Sequence, residues 1–515
     1  MAKPKVLPNP KLLASDVQLI IFLAFFVTLT AFYVNFLWRK RKMFIQSWNV
    51  PGPINLPIIG AAYLFMCRPD KIYSRLTKLQ ARFPKVTKLW FGSRLLYCLQ
   101  EPSYIEKMLN NPKMVEKDYL YKHLVDCIGH GLMTAPGPMW RKHRKAIMPS
   151  FNQKILDSFV EVFAEQSRVL TDILEQHRGK KMDTLTLVAR CTLDIVCETA
   201  MGLQLSIQKT DAEYAILFDK IMELCFIKIF HIWNHNEFVW NLGSGRLLKE
   251  YLRRFNQLAQ KVIEEKMELK KRRKNSEAKV EDAPKRLAFL DLIMQNSDFS
   301  AIELRDEVNI FLFAGTDTTA SSLSFLLAVL GMFQDIQGKV YNEVIEIMGH
   351  DRLPEYKDLP LMKYTERVIK ETLRLFPVGA FFLRAATEDL DLGDIVMPKG
   401  SSAFFGTVFI HRNPKYWPDP LKFDPDRFLP EEIAKRHPCT YIPFSYGPRN
   451  CIGMRYAMMA MKTIVANVIR RMRIYCDYKS IEEIQLKTNI VLRFRDGCKT
   501  SMELREVDNA REKNA

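Results

Sequence analysis

FSYGPRNCIG, residues 444–453, is a loop punctuated by glycine and proline that leads into the helical pattern of Met454 to Arg471. Its cysteine, Cys451, stands just before the helix start, where loop N–H groups and the helix dipole favour negative charge. Such a position is expected to lower the pKa of a thiol and to prepare a thiolate metal ligand. Gly447 and Gly453 would let the backbone approach a flat cofactor. A lone cysteine is more often a small buried hydrophobic residue, so the assignment needs support from the rest of the chain.

The pattern F-x-x-G-x-R-x-C-x-G in this loop resembles the haem-binding loop of the cytochromes P450 at every defining position. The resemblance implies that the thiolate of Cys451 ligates the iron of a haem b group. It implies in the same way that Phe444, Gly447, Arg449 and Gly453 contribute to binding the cofactor. The fold it implies is mostly α with a small β-sheet region.

Hydrophobic periodicity is compatible with that fold. Apolar residues at i, i+3 and i+4 spacing predict helices, for example at 155–174 and 214–230. Alternating segments at 87–97 and 489–494 predict strands of a smaller sheet. The sequence by itself therefore favours a helix-rich body with few strands.

Two further segments resemble the family's scaffold. Glu371 and Arg374 form an E-x-x-R pair on one helix face, able to make a charge-assisted hydrogen bond. Arg427 lies in FDPDRF, residues 423–428, which resembles the family's P-x-R-F segment. The resemblance implies that the three residues form one structural network behind the haem and take no part in catalysis.

Trp140 and Arg144 fit the W-x-x-x-R signature of one of the family's major helices. The resemblance places both at the haem propionates, and the planar fork of arginine suits a carboxylate. Arg449 and Arg384 are the other expected propionate contacts, with a surface position as the open alternative for Arg384.

A long helix that handles oxygen is expected after Ser300, because Ser300 and Glu303 form a capping box. Its middle carries AGTDTT, residues 314–319, where glycine and clustered threonines weaken a helix and predict a local bulge. An isolated D-T-T would be an ordinary helix turn. In this setting Asp317 and Thr318 are the candidate catalytic residues, relaying protons to oxygen bound at the iron.

The N-terminal region predicts a membrane anchor. Residues 17–38 carry no charge and are long enough to cross a hydrocarbon core of about 30 Å. A cleaved signal is the competing interpretation, but the apolar run is too long and lacks a small-residue cleavage site. The predicted organisation is a short N-terminal segment (1–16), a transmembrane anchor (17–38), a basic and proline-rich linker (39–57) and the haem-thiolate catalytic domain (58–515).

Charge and cysteine usage are less decisive. The formal charge of +18 includes basic runs at 39–42 and 270–274, and it would suit nucleic acid, an anionic membrane or an acidic protein. The anchor favours the membrane, and we expect residues 270–285 to form a solvated loop with no nucleic acid bound. The ten cysteines include no C-x-x-C pair, which fits a reducing compartment. His231 and His235 lack an H-E-x-x-H companion, so no zinc site is expected.

Location and electron supply follow from these features. The cations at 39–42 outweigh the lysines spread before the helix, which favours a cytoplasmic catalytic domain. With the resemblance, this implies a single-pass protein of the endoplasmic reticulum membrane. No nucleotide- or flavin-binding motif is present, so electrons must come from a separate protein. The resemblance implies an NADPH-cytochrome P450 reductase, with cytochrome b5 as a second candidate, docking on Arg141, Lys142 and Lys145.

The expected activity is insertion of one atom of dioxygen into a lipophilic substrate, such as a fatty acid, a hormone or a foreign compound. Two alternatives stay open: a haem-thiolate isomerase or dehydratase that needs no reductase, and a non-catalytic haem protein. Intact Asp317 and Thr318 argue against both alternatives.

Segments 131–133, 141–151 and 285–291 resemble the family-four clan, particularly its insect members. That clan includes fatty-acid hydroxylases. Many of its members carry a glutamate where this chain has Ala314, and that glutamate can form an ester to the haem. Ala314 cannot, so Cys451 is expected to be the only covalent link to the cofactor. The terminal-carbon selectivity associated with the ester is therefore not implied.

Overall fold

Helices dominate the part of the chain that the computed structural model describes, which is residues 10–210, 213–275 and 287–505. In chain order they are α1 (Pro10–Gln46), α2 (Pro69–Arg82), α3 (Pro102–Asn110), α4 (Lys122–Ile128), α5 (Gly137–Ile147), α6 (Gln153–Gln176), α7 (Thr184–Val196), α8 (Glu213–Phe230), α9 (Glu237–Leu242), α10 (Ser244–Asn275), α11 (Phe289–Asn296), α12 (Ala301–Met332), α13 (Gln334–Met348), α14 (Lys363–Leu375), α15 (Thr407–His411), α16 (Pro430–Ala434) and α17 (Met454–Arg471). The helices expected at 155–174 and 214–230 are α6 and α8.

The strands are short and form small sheets. They are β1 (Val86–Phe91), β2 (Arg94–Leu99), β3 (Met182–Asp183), β4 (Phe381–Ala385), β5 (Leu390–Asp391), β6 (Val396–Met397), β7 (Ser402–Gly406), β8 (Met472–Cys476), β9 (Leu486–Asn489), β10 (Val491–Phe494) and β11 (Lys499–Leu504). The largest sheet has the order β1-β2-β7-β4, and its only parallel pair is β2–β7. Segment 87–97 forms a hairpin of two strands, because Gly92 at φ 58° turns the chain. The mostly α fold with a small β region is confirmed.

Helix α1 carries the predicted anchor and continues beyond it. Its apolar part has a mean hydropathy of 2.3, and none of that part is buried in the protein. The helix runs through the basic residues 39–42 to Gln46, because no proline or glycine interrupts it before Pro51. Phe44 stacks on Trp90 of β1 with ring centres 4.3 Å apart. The first part of the expected linker is therefore helix docked on the first sheet, and residues 1–9 of the expected N-terminal segment lie outside the described residues.

Helix α12 runs through the core. Its apolar stretch has a mean hydropathy of 1.3 and is 83% buried, so its hydrophobicity serves packing inside the protein. It packs against α7, α10 and α17. The expected capping box is present: Glu303 N–H donates to Ser300 Oγ (3.2 Å), and Ser300 N–H donates to Glu303 Oε2 (2.8 Å).

Two features differ from the sequence-based expectations. Helix α10 extends to Asn275, so the basic run 270–274 is helical, since lysine and arginine are good helix formers. Residues 276–285 of the expected loop and 506–515 of the catalytic domain lie outside the described residues. A disulfide joins Cys127 of α4 to Cys225 of α8. Spacing did not indicate this pair, because partners separated by 98 residues meet only in the fold.

Replacing Ser300 with alanine should destabilise the start of α12. The variant loses the N-cap acceptor, and we expect the free energy of unfolding to fall by about 1 kcal/mol, measured from urea denaturation. Ser74→Ala is the matched control, since the Ser74 hydroxyl donates to the Lys71 carbonyl (3.0 Å) within α2 and caps no helix. Equal losses in both variants would contradict a capping role for Ser300.

Candidate haem and oxygen site

The Cys451 loop folds back on itself and presents the thiol to an internal cavity. Cys451 N–H donates to the Phe444 carbonyl (2.9 Å), and Asn450 N–H donates to the Gly447 carbonyl (3.1 Å). Phe444, Cys451 and Gly453 line a cavity of about 470 Å³. A Cβ at Gly453 would lie 3.9 Å from Cys451 Sγ, so glycine keeps the space beside the sulfur open.

Gly447 lies at the contact between the cysteine loop and α3. It does not line the cavity, and its φ of 74° lies in the left-handed region that favours glycine. A Cβ there would collide with the Leu109 carbonyl at the end of α3. This glycine therefore lets the loop pack against α3, and its approach to the cofactor stays a prediction.

The thiol itself departs from the electrostatic expectation. Burial raises the pKa of Cys451, and this outweighs the opposing effects of the Gly453 N–H group and the Arg144 charge. The predicted lowering of this pKa is wrong for the protein without a metal, because the loss of solvation destabilises the thiolate more than the loop N–H groups and Arg144 stabilise it. A metal ion at the sulfur would displace the proton directly, since a thiol coordinates as the thiolate.

Arginine side chains surround the loop. On α5, Arg144 donates to the Asn450 carbonyl and to Asn450 Oδ1, both at 2.9 Å. Arg449 donates to the Val115 carbonyl at 2.7 Å. On β4, Arg384 is almost fully buried and donates to the Arg449 carbonyl at 3.3 Å. The sequence left a surface position open for Arg384, and the structure places it in the cavity wall.

Lys117 joins these arginines and was missed by the sequence analysis. Burial lowers its pKa well below the ordinary value, and the charges of Arg384 and Arg449 act in the same direction. Burial, followed by the charge of Arg384, also lowers the pKa of Arg449 to about 9. Mutual repulsion of this kind marks a site that is incomplete without anions.

The donor set fits a haem group. Among the described residues that line the cavity, four are cationic and none is Asp or Glu. Arg449 Nε is buried without a hydrogen-bond partner, and the Arg449 guanidinium lies 5.3 Å from the centre of the Trp140 ring. Two propionates would supply the missing negative charge, and the cations that would bind them lie in the same lining as Cys451.

Thr318 lines the same cavity from α12. Its hydroxyl donates to the Ala314 carbonyl at 2.6 Å, and Ser322 Oγ donates in turn to the Thr318 carbonyl at 2.8 Å. The helix is continuous from Ala301 to Met332, so the expected bulge is not present as a break. Side-chain bonds to the preceding turn satisfy the hydroxyls without opening the helix.

Asp317 points elsewhere. It does not line the cavity and forms a buried ion pair with Arg493 of β10. Arg493 also contacts Asp219 of α8 at 3.1 Å, and the Asp219 side chain is 61% exposed. Burial raises the pKa of Asp317 while Arg493 opposes the rise, and Asp317 Oδ2 has no partner. The structure therefore brings Thr318 to the cavity and Asp317 to a charged path that leads toward solvent.

The scaffold residues meet as a buried network. Arg374 is 0% exposed and donates two hydrogen bonds to Glu371, at 2.6 and 2.8 Å. Arg427 Nε lies 3.6 Å from Glu371 Oε1. Arg374 also donates to the carbonyl of His411 (3.0 Å), so the network connects α14 to α15. None of the three side chains lines the cavity.

The comparisons with known proteins agree with this arrangement. The profile of the cytochrome P450 family matches residues 50–497. The chain belongs to the cytochrome P450 family. It is 36% identical to cytochrome P450 4c21 of Blattella germanica over 84% of this chain and 89% of that protein. It is 34% identical to cytochrome P450 4c3 of Drosophila melanogaster (92% and 93% covered) and to cytochrome P450 4V2 of Homo sapiens (92% and 94% covered).

A solved mutant haem domain of cytochrome P450DA shares the fold, with a TM-score of 0.75 and 20% identity over 89% of this chain and 98% of that one. This P450 is accordingly a haem monooxygenase with a cysteine thiolate ligand, and its exposed apolar N-terminal helix makes it a membrane-anchored one. Membership of the family implies a redox partner and, in general terms, a lipophilic substrate. Ala314 lines the cavity and offers no carboxylate for an ester, so the haem of this P450 is held non-covalently apart from the thiolate bond.

His411 should make the stability of this P450 sensitive to acid. Burial lowers its pKa from 6.5 to about 3, and its Nε2 accepts from Ile442 N–H (2.8 Å) ahead of the cysteine loop. Below pH 6.5 His411 becomes protonated in the unfolded chain but stays neutral in the folded protein. The contribution of neutral His411 to the free energy of unfolding is therefore fully present above pH 6.5. It decreases by about 1.4 kcal/mol per pH unit as the pH falls from 6.5 toward 3.

Urea denaturation at several pH values below 6.5 measures this slope. His411→Gln keeps a hydrogen-bond acceptor but cannot be protonated, so its stability should fall less steeply than that of the unsubstituted protein. Other histidines contribute equally to both proteins and cancel in the comparison. Parallel slopes would show that His411 does not carry the effect.

Proposed function

We propose that this P450 is a monooxygenase of the endoplasmic reticulum membrane that oxidises a lipophilic substrate with electrons from an NADPH-dependent reductase, with Cys451 as the iron ligand. The observation that carries the proposal is that Cys451 and Thr318 line one cavity with cations in its wall. Cys98 also lines the cavity, but it lies on β2, and its pKa is raised by burial with no lysine or arginine among the groups that shift it. Cys451 is the cysteine that lies beside the lining cations, and these cations would bind the propionates.

Bound haem supplies dioxygen activation, and a thiolate ligand favours cleavage of the O–O bond. Lys117, Arg384 and Arg449 line the cavity and would hold the cofactor carboxylates. Arg144 joins α5 to the cysteine loop through Asn450 and so steadies the ligand. The apolar remainder of the lining excludes water from the reacting carbon.

Proton delivery is assigned to Thr318 and Asp317 in different capacities. Thr318 lines the cavity, and its hydroxyl can accept a proton from a neighbouring group and pass it into the cavity. Asp317, with its raised pKa and free Oδ2, can take a proton from the solvent side and turn toward the cavity when its pair with Arg493 opens. Arg493 and the exposed Asp219 would then connect Asp317 to bulk water.

The outer face of α5 suits an acidic electron donor. Arg141, Lys142 and Lys145 are exposed, whereas Trp140 and Arg144 on the same helix line the cavity. Only helix α5 would then separate a partner docked on this face from the cysteine loop. The reductase, and cytochrome b5 as a second donor, would be steered to this face by opposite charge.

The iron ligand is tested by the spectrum of the ferrous carbon monoxide complex. We expect the red-shifted Soret band of thiolate ligation, and we expect Cys451→His to abolish it because imidazole is a neutral ligand. Cys98→Ser is the matched control, since it alters the other cysteine that lines the cavity, and it should keep the band. An unshifted band in the unsubstituted protein, or loss of the band only in Cys98→Ser, would refute the assignment.

Asp317→Asn tests the proton path. The amide cannot take up and release a proton, so substrate turnover with reductase should fall by about a hundredfold while the carbon monoxide spectrum is unchanged. Asp219→Asn is the control, because the exposed Asp219 can be replaced by water as the outer group, and its loss should be far smaller. Product formation without reductant that is insensitive to both changes would favour the isomerase alternative.

A further inference from the structure

The cavity wall away from the cysteine loop is apolar. Ten phenylalanines besides Phe444 line the cavity, and six of them pack on one another in pairs: Phe65 with Phe91 (5.6 Å between ring centres), Phe226 with Phe230 (4.4 Å) and Phe381 with Phe404 (5.3 Å). Aliphatic side chains fill much of the remaining surface, with Ile229 of α8 and Ile490 of the β9–β10 hairpin among them. This part of the lining suits an extended hydrocarbon.

Positive charge in the lining is confined to the other end. Arg144 and Arg449 belong to or contact the cysteine loop, Arg384 contacts the Arg449 carbonyl, and Lys117 interacts electrostatically with Arg384 and Arg449. Among the described lining residues there is no further lysine, arginine or histidine. The thiolate and the two haem carboxylates would be balanced by these four cations, which leaves none of them for a substrate carboxylate.

Cations near the apolar wall are already paired outside it. Lys228 of α8 is buried and bound to Asp126 (2.6 Å) and Glu237 (3.0 Å), and it does not line the cavity. Arg493 is bound to Asp317 and Asp219. Neither cation faces a ligand in the apolar part of the cavity.

An ionised carboxylate in that part of the cavity would lose its hydration without gaining a cation. The cost is large enough that such a group takes up a proton and enters in its neutral form. A neutral oxygen, such as that of an ester or an alcohol, carries no comparable cost.

We propose that the substrate of this P450 is a neutral lipid, and that the confinement of the cations among the described lining residues to the haem end discriminates against lipid carboxylates. The proposal rests on the proposed function above and narrows its substrate class. It concerns the chemistry of the group that is buried and leaves the identity of the hydrocarbon open.

Ligand titrations of the full-length ferric protein test the proposal through the spin-state shift caused by displacement of axial water. Decanoic acid, methyl decanoate and decanol form a series with one chain and different head groups. At pH 7 the ester and the alcohol should bind at least about tenfold more tightly than the acid, since the neutral form of a carboxyl group is then a minor species. Equal or tighter binding of the acid overturns the proposal.

The pH dependence provides a second criterion. If only the protonated acid enters, its affinity relative to the ester should rise by about tenfold for each unit by which pH is lowered between 8 and 6. The ester measured at each pH corrects for changes in the protein itself. A ratio that does not vary with pH means that the ionised acid is accepted, and it overturns the proposal.

A variant tests the cause. Thr488 of β9 lines the cavity, is 2% exposed, and its hydroxyl has no partner, so its replacement breaks no hydrogen bond. Thr488→Arg should place a permanent cation in the apolar wall and shift the ratio of acid to ester affinity by about tenfold toward the acid. Thr488→Met, long but uncharged, is the matched control and should leave the ratio unchanged. A shift in both variants, or in neither, overturns the role assigned to charge.

The carbon monoxide spectrum separates the two proposals. A red-shifted band together with an acid preference, or with no shift from any neutral ligand, refutes the neutral-lipid proposal and leaves the monooxygenase proposal standing. Absence of the red-shifted band refutes both. If Thr488→Arg does not show the band, the variant has lost its fold and the two ligand criteria decide with the unsubstituted protein.

Discussion

Uncompensated positive charge in the cavity wall is the constraint on which the rest of this site depends. Burial, and after it the repulsion between the three cations, depresses the pKa of Lys117 and of Arg449 beside Arg384, and no Asp or Glu lines the described cavity. Such an arrangement is costly in an empty protein and becomes favourable when anions occupy it. Haem, with its two carboxylates, therefore contributes folding stability as well as chemistry.

The same distribution of charge divides the cavity into two regions. The cationic end would hold the haem carboxylates, and the aromatic wall formed by residues such as Phe226 and Phe381 suits the apolar part of a substrate. Water is excluded from the second region by apolar side chains, which raises the cost of placing any further charge there. The position of these cations at one end of the cavity would therefore determine both the affinity for the cofactor and the selectivity for the substrate.

Burial also decides the weight of motifs that look weak in isolation. An E-x-x-R pair on a helix surface contributes little to stability, because water screens it. Glu371 and Arg374 are both fully buried, and Arg374 in addition donates to main-chain carbonyls, so removal of either partner would leave an uncompensated charge in the core. Asp317 shows that neighbours in sequence can separate in the fold. It follows Thr316 and precedes Thr318, but it points away from the cavity that Thr318 lines, because adjacent residues of a helix point about 100° apart.

The sequence by itself determined the family, the mostly α fold, the cysteine loop, the cap of α12 and the anchor helix, because each rests on local spacing or on a contiguous run of residues. The tertiary structure alone decided which charges share a wall. Lys117 and Arg493 carry no local signal, Gly447 serves contact with α3, and Cys127 meets Cys225 across 98 residues. Partners distant in sequence and the loss of water on burial are properties of the packed chain, and local patterns do not encode them.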